Sequence, residues 1–411
     1  MVTHALRIGY LVPRFPGQTH GPIRREIEAL DAMGHDVLVL SSRPPPKALM
    51  PHSWSDAAVA CTTYLGSMKL PWRKRCWDIP LLSRPPFRAL RDAIQFARDI
   101  PLCLPASIRL LRVARKRNLD HLHVSGGGRS ALAAALARKM GGPPYSLALR
   151  MPEAACRAGY RFKWRHAAFG TVTTRNLHDR LLETVGDDLP ERVILKPEGV
   201  DFGAMRRQTP YAPPERGRPV RIFSCARLSP EKGHHDLMSA IRQLLDQGVD
   251  VRLEIAGEDD NAGKGFRSKL EAHLKKLHLQ DHVRLLGAMD EDAVRAKLEE
   301  AHLFALSSPG SPAGVAYMEA MAMGVPTIGT EAGAPRELIE DGRTGCLVPP
   351  RNPGAMARAI RALVQDPDAL MKLSTNGRAR VEAHYRVEFG AMALAEEIAR
   401  LKSYSPEAAT G

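Results

Sequence analysis

The sequence predicts an α/β fold of two doubly wound domains, and three observations carry that expectation. Short β-branched apolar runs alternate with amphipathic stretches almost throughout, the signature of βαβ units. A segment at 203–219, GAMRRQTPYAPPERGRP, is rich in proline and charge and sustains no period, and the alternation restarts after it. At 411 residues the chain exceeds one ordinary core, whereas two domains of roughly 150 to 200 residues hold it comfortably.

The elements follow in order. LRIGYLVP opens as a buried strand, and a helix over 22–33 carries Ile23, Ile27, Leu30 and Met33 on one face, with Gly34 as its stop. DVLVLS, HLHV, YSLAL, GTVTT and RVILK read as further buried strands with helices between them. After the linker, VRIFSCA, VRLEIAG, VRLLG, LFALSS and PTIGT are the strands of a second parallel sheet. Helices near 233–247 and 264–277 present Leu237, Ile241, Leu244 and Leu245, then Phe266, Leu270, Leu274 and Leu277, in helical register. The expected division is 1–202, 203–376, and a final helix and tail over 377–411 in which EFGAMALAEEIARLKSY crosses back onto the first domain. Two facing sheets of this kind place a ligand between the carboxyl ends of their strands.

Composition narrows the function. No apolar run is long enough to span a bilayer, and MVTHALRIGYLVP enters a strand directly, so a cytoplasmic location is expected. Six scattered cysteines lack the close pairs of metal or redox motifs and read as reduced and structural. A formal net charge of +14 calls for an anionic partner: nucleic acid, an anionic membrane or a phosphorylated small molecule.

Two motifs bear on that choice. CARLSPEKGHHDL, 225–237, sets Arg227 and Lys232 around a loop that opens a helix, a seat for a pyrophosphate if the pair is more than two solvated charges. GSPAGVAYMEAMAMGVPTIGT, 310–330, runs from a loop into a short helix stopped at Gly324. Its Glu319 follows Ala313 and Gly314, whose small side chains admit a ligand to the backbone amides. A carboxylate there accepts hydrogen bonds from vicinal hydroxyls, or is simply a dipole-stabilised acid in a first helical turn. HVSGGGRSALAAALA lacks the spacing of a dinucleotide or Walker loop and reads as close strand-to-helix packing. Arg14, His20 and Arg24 lie in and beyond the first loop, on the cleft side by topology.

In order along the chain, ARLSPEKG, LEIAGEDD, LHLQDHVRLLG and YMEAMAMGVPTIGTEAGAPRELIEDGRTGCLVPP make residues 219 to about 350 resemble the nucleotide-binding half of glycosyltransferase family 4. The opening GYLVPRFPGQTHGPIRREIEALDAMGHDVLVLSSR is similar to exopolysaccharide-assembling members, and PEGVD at 197–201 to the segment that closes the first domain. The resemblance implies a retaining enzyme of the GT-B fold, two facing Rossmann-like domains around a cleft. By the same likeness Arg227 and Lys232 hold the donor's diphosphate, Glu319 holds the ribose, and Gly287, Ser311, Gly314 and Val315 line the donor site. Arg150 stands at the reacting centre, and Arg14, His20 and Arg24 are on the acceptor side. The implied partners are a nucleotide-sugar, by expectation a UDP-sugar, and a lipid-linked or saccharide acceptor, with no metal or other cofactor.

Two positions depart from the family pattern. Ser311 stands eight residues before Glu319 where relatives carry a second acid, and it grips a diol less well because it is short and uncharged. Arg150 ends the YSLAL strand where relatives commonly carry histidine, and it cannot act as a neutral acceptor. The alternative function is therefore a non-catalytic or weakly active homologue that binds nucleotide and regulates a polysaccharide assembly complex.

Residues 66–117 hold thirteen Lys or Arg against three Asp, interleaved with Trp72, Trp77, Ile79, Leu81, Leu82 and Phe87. That mixture suits the headgroup layer of an anionic membrane and peripheral attachment to the cytoplasmic face of the inner membrane; a helical pair with a solvated basic face is the other reading. No nucleic-acid-binding signature accompanies the charge.

Overall fold

The computed structural model describes residues 5–45, 50, 52–66, 85–150, 159–259, 265–311 and 313–403, with side chains of the helix that starts at Pro85 described from residue 93 onward. Trp72, Trp77, Ile79, Leu81 and Leu82, every Lys and Arg between 67 and 84, the side chain of Phe87, and Cys76 and Cys156 lie outside the described residues. Cys61, Cys103, Cys225 and Cys346 are free thiols.

Seven strands form the first sheet: β1 (Arg7–Arg14), β2 (Asp36–Arg43), β3 (Thr63–Tyr64), β4 (His121–Ser125), β5 (Tyr145–Leu149), β6 (Phe169–Val172) and β7 (Val193–Leu195). Six form the second: β8 (Val220–Cys225), β9 (Val251–Ala256), β10 (Val283–Gly287), β11 (Leu303–Ala305), β12 (Thr327–Thr330) and β13 (Cys346–Val348). The helices are α1 (Gly21–Ala32), α2 (Ser55–Cys61), α3 (Pro85–Lys116), α4 (Arg129–Lys139), α5 (Tyr160–Arg165) and α6 (Arg175–Val185) around the first sheet. Later in the chain come α7 (His234–Asp246), α8 (Phe266–Lys276), α9 (Glu291–Glu300), α10 (Val315–Ala322), α11 (Ala334–Leu338), α12 (Pro353–Gln365), α13 (Pro367–His384) and α14 (Val387–Ser403).

Among the described residues every pair of these strands is parallel, with order β3-β2-β1-β4-β5-β6-β7 in one sheet and β10-β9-β8-β11-β12-β13 in the other. Strands covered by helices on both faces need apolar residues on both, which is why Ile8 and Tyr10 through Val12 are all buried, with Gly9 between them too close to Leu122 and Leu119 to carry a side chain. The order reverses between β1 and β4 in the first sheet and between β8 and β11 in the second. Those are the switch points where an open sheet leaves a crevice beyond its carboxyl ends.

The segment 203–219 carries no helix or strand, yet it is seated on the second domain. Tyr211 is buried there, its hydroxyl donating to the His302 carbonyl at 2.8 Å. The chain leaves the first domain at Val200 and returns at Arg386, where the two crossings bridge in parallel. Helix α13 continues through residue 376, and α14 lays Val387, Ala391, Leu394 and Ile398 against Leu6, Ile8, Ile23 and Ile27 of the first domain. Lys402 to Asp120 at 2.9 Å and Arg192 to Glu397 at 2.8 Å fasten the same helix. Among the described residues no helix is long and apolar enough to cross a membrane.

Candidate functional site

The loop after β8 is shaped by backbone requirements. Pro230–Lys232 make one 3-10 turn, and Gly233 then takes a left-handed φ of 68° so that α7 can start. A side chain at Gly233 would run into the Ser307 carbonyl, so the loop from β8 and the loop from β11 meet backbone to backbone. Ser308 Oγ donates to the Glu231 carbonyl at 2.9 Å, and buried His234 reaches the Arg227 carbonyl at 3.1 Å. Arg227 and Lys232 stand on this frame. Burial lowers the Lys232 pKa and the neighbouring Arg227 lowers it further, while Glu231 opposes both. Two cations that disfavour each other's charge gain from an anion placed between them.

The loop after β11 leads to Gly314, whose φ of 73° makes it the left-handed residue before α10. Its missing side chain leaves the amino end of α10, beginning at Val315, without a side-chain cap. Ser311 is buried and bridges Gly333, with the Ala334 amide donating to its carbonyl at 2.7 Å. Glu319 is the fifth residue of α10, and the first turn contains no acid. The expectation of a dipole-stabilised acid in a first turn is thereby corrected: the compensating charge comes from the other domain.

That charge is Arg25, in α1 and only 6% exposed; its Nη2 is 2.8 Å from Glu319 and its Nη1 3.4 Å from Glu291. Burial pushes the Glu319 carboxyl above its ordinary value, and Arg25 pulls against that. Arg24 pairs with Glu28 at 2.7 Å and Glu291 at 3.6 Å and lies over the Trp54 ring. Elsewhere across the cleft the Gln18 amide donates to the Glu258 carbonyl at 3.4 Å, and the Arg175 and Asn176 amides donate to Glu337 at 2.9 and 3.1 Å. Arg25 and Glu291 escaped the sequence reading because nothing in their own neighbourhoods marks them; their partners are hundreds of residues away.

Arg150 follows β5 directly and is spoken for. Its Nη2 donates to Glu26 at 2.8 Å and to the Tyr10 hydroxyl at 2.9 Å, and its Nη1 is 2.8 Å from Glu198. Lys196 completes the group, 2.7 Å from Glu26. Two acids and two bases balance in charge, as burial requires. Burial alone would raise the Glu26 carboxyl, but Lys196 and Arg150 hold it down at about 2.

Arg14, His20 and Arg227 come together around a cavity of about 480 Å³ between the domains, lined also by Arg43, Arg129 and Ser130. His20 stacks on Phe15 at 5.7 Å, and burial, with the charge of Arg150 and His52, lowers its pKa to about 4, so it is neutral at physiological pH. Gly287 closes β10 at a φ of 81° and bridges Gly257, at the carboxyl edge of the same sheet as Arg227. A larger cavity, about 750 Å³, opens at the amino ends of β8 to β10 among Arg221, Arg252, Arg284 and Glu299. It sits away from both switch points. Among the described residues no group of histidines, cysteines and acids is arranged to hold a metal ion.

Residues 206–380 match the family described as Glycosyl transferases group 1. This part of the chain is a group 1 glycosyltransferase domain. The chain is 31% identical over 219 residues to a putative colanic acid biosynthesis glycosyltransferase, WcaL, of Salmonella typhimurium, covering 52% of this chain and 51% of that one. It is 33% identical over 190 residues to the amylovoran biosynthesis glycosyltransferase AmsK of Erwinia amylovora, covering 45% and 46%. These matches span about half the length of the curated relatives. Over the whole fold the chain superposes on HepE of Anabaena in complex with UDP at a TM-score of 0.72, with 16% identity and coverage of 96% and 100%. It superposes on the sucrose-phosphate synthase of Thermosynechococcus elongatus at 0.74, with 20% identity and coverage of 97% and 100%. The fold is GT-B, two Rossmann-like parallel-sheet domains.

Proposed function

We propose that the protein is a nucleotide-sugar-dependent, retaining glycosyltransferase of exopolysaccharide assembly that takes a UDP-sugar and works without a metal. One observation supports this reading: inside the group 1 domain the loop after β8, which carries Arg227 and Lys232, meets the loop after β11 backbone to backbone, and α10 beyond it brings Glu319 against Arg25 of the first domain. A departing nucleoside diphosphate gathers negative charge, and fixed cations that meet it lower the barrier without reorganising. Arg227 and Lys232 take that part. Glu319 accepts the two ribose hydroxyls once it exchanges Arg25 for them, Gly314 and Val315 let the ligand reach the first amides of α10, and Gly287 flanks the base. Ser311 gives the transferred sugar one hydrogen bond. The leaving phosphate itself helps to take the acceptor's proton. UDP is favoured because the fold neighbour HepE was crystallised with it, and exopolysaccharide assembly because the relatives WcaL and AmsK are named for it.

On the acceptor side, Arg14, His20 and Arg24 belong to the first domain, 1–202, which faces a donor domain over 203–376, with 377–411 returning. Arg150 orders the floor of that side through Glu26 and Glu198 and tunes His20. The stretch 66–117 docks on the cytoplasmic membrane face, where a lipid-linked acceptor is presented. A second reading, a nucleotide binder that regulates an assembly complex, is favoured by the commitment of Arg150 and Glu319 to ion pairs.

Calorimetry with UDP decides first. The Arg227→Ala/Lys232→Ala double variant is expected to lose UDP binding while keeping its thermal midpoint, and an unchanged titration heat contradicts the assignment. Turnover separates the two readings, because a transferase releases UDP from a UDP-sugar only with acceptor and a regulator releases none.

A further inference from the structure

Arg14 and Arg43 are register partners at the carboxyl ends of β1 and β2. Like charges placed opposite one another on adjacent strands repel. Arg14 has no ion pair among the described residues, and neither does Arg43. Both border the interdomain cavity, where four of the thirteen described lining residues are arginines and none of those thirteen is acidic, so the described lining favours an anion.

The surroundings favour a seated anion. Arg129, the first residue of α4, is held by Asp99 at 2.8 Å; Asp99 is almost fully buried behind it, so the guanidinium is oriented while half its surface stays open. Gly128 before it supplies no side-chain cap to the helix. Ser42 and Ser130 bond to each other at 3.0 Å on the same wall. Nδ1 of His20 is buried without a hydrogen-bond partner among the described residues, on a ring that burial keeps neutral. Arg227 enters from the second domain. A neutral sugar would leave Arg14 and Arg43 without a counter-charge among the described residues, whereas a phosphoryl group carries up to two charges and matches their forked donors.

We propose that this cavity is an acceptor subsite that seats a phosphate or diphosphate group carried by the acceptor, with Arg14 and Arg43 as its principal cations, Arg129 beside them, and Arg227 shared with the donor. The word acceptor rests on the transferase reading above; the anion site does not. Arg43 and Arg129 thereby become specificity residues, selecting phosphorylated acceptors over neutral ones.

The test titrates the full chain, saturated with UDP to occupy the donor site, with inorganic pyrophosphate. Binding is expected, and the Arg14→Gln/Arg43→Gln double variant weakens it by at least about tenfold while UDP affinity stays within about twofold, since each charge-assisted bond to phosphate is worth that much. Both arginines are exposed at strand ends, and an unchanged thermal midpoint verifies that the variant is folded. Pyrophosphate that fails to bind the UDP-loaded protein, or binds the double variant as well as the parent, overturns the proposal. Two further probes locate the source of the phosphoryl group. Capture of the chain on phosphatidylcholine vesicles carrying farnesyl diphosphate, lost in the double variant, supports a lipid-borne group. Glucose 6-phosphate binding lost in the same variant, without vesicle capture, supports a soluble one. If UDP does not bind, the transferase reading fails by itself; pyrophosphate is then titrated into the unloaded chain, and the same comparison between parent and double variant decides the anion site.

Discussion

At position 150 an arginine follows the β5 strand, where two carboxylates and a hydroxyl meet it and Lys196 shares one of the carboxylates. Glu26 comes from α1, Glu198 and Lys196 from the segment after β7, and Tyr10 from β1. Each is unremarkable in its own stretch of sequence. Breaking a buried pair leaves its partner charged in a medium that solvates it poorly, which costs about 3–5 kcal/mol. Arg150→Met is therefore expected to lower the unfolding free energy by about that amount, read by urea denaturation. A variant as stable as the parent would show that Glu26 and Glu198 do not need the guanidinium. At Glu319 likewise, the carboxylate expected to hold a ribose already holds Arg25, so a ribose bound there would have to displace the guanidinium.

Among the elements, the loop between β8 and α7 is held by a close backbone approach. Its cations are set by Gly233, which needs a left-handed φ and sits against the Ser307 carbonyl. Gly248, just past the end of the same helix, has a similar φ of 78°, but a methyl group there would meet open space. The pair separates two costs. Gly248→Ala carries only the strain of a side chain in the left-handed region, about 1–2 kcal/mol. Gly233→Ala carries that strain and also pushes the two switch-point loops apart. It is expected to destabilise more than Gly248→Ala and to weaken UDP binding, which Gly248→Ala leaves alone; thermal midpoints and UDP calorimetry on both variants check this, and equal effects would refute the loop argument. Helix α14 shows the complementary case of an element whose partner is far away in sequence: its apolar stripe is legible, and its docking against α1 is decided by the return crossing at Arg386.

Across the whole molecule, acid should act through histidines before carboxylates. Burial lowers the pKa of His121 to about 3 and of His20, His234 and His302 to about 4. In the unfolded chain these rings titrate near 6.5, so their contribution is complete above that pH and is lost as pH falls toward 4, where the unfolded state binds more protons. Glu26, held down at about 2, adds its loss only below the ordinary carboxylate pKa of about 4.5. The stability of the protein is thus expected to decline between pH 7 and pH 5 in urea titrations, ahead of ordinary acid unfolding. A flat profile over that interval would contradict the neutral, buried histidines.

The sequence alone determined the alternation of strands and helices, the restart after the linker and the nearness of Arg227 and Lys232 to a helix start, because these follow from periods and turns a few residues long. It also carried the group 1 likeness, written in contiguous motifs from ARLSPEKG onward. Only the tertiary structure decided that Glu319 faces Arg25, that Arg150 is enclosed by Glu26, Lys196 and Glu198, and that Arg43 and Arg129 share a cavity with Arg14 and Arg227. The physical reason is that burial and charge pairing depend on which surfaces the folded chain brings together, and no local spacing encodes a neighbour that arrives from another strand or another domain.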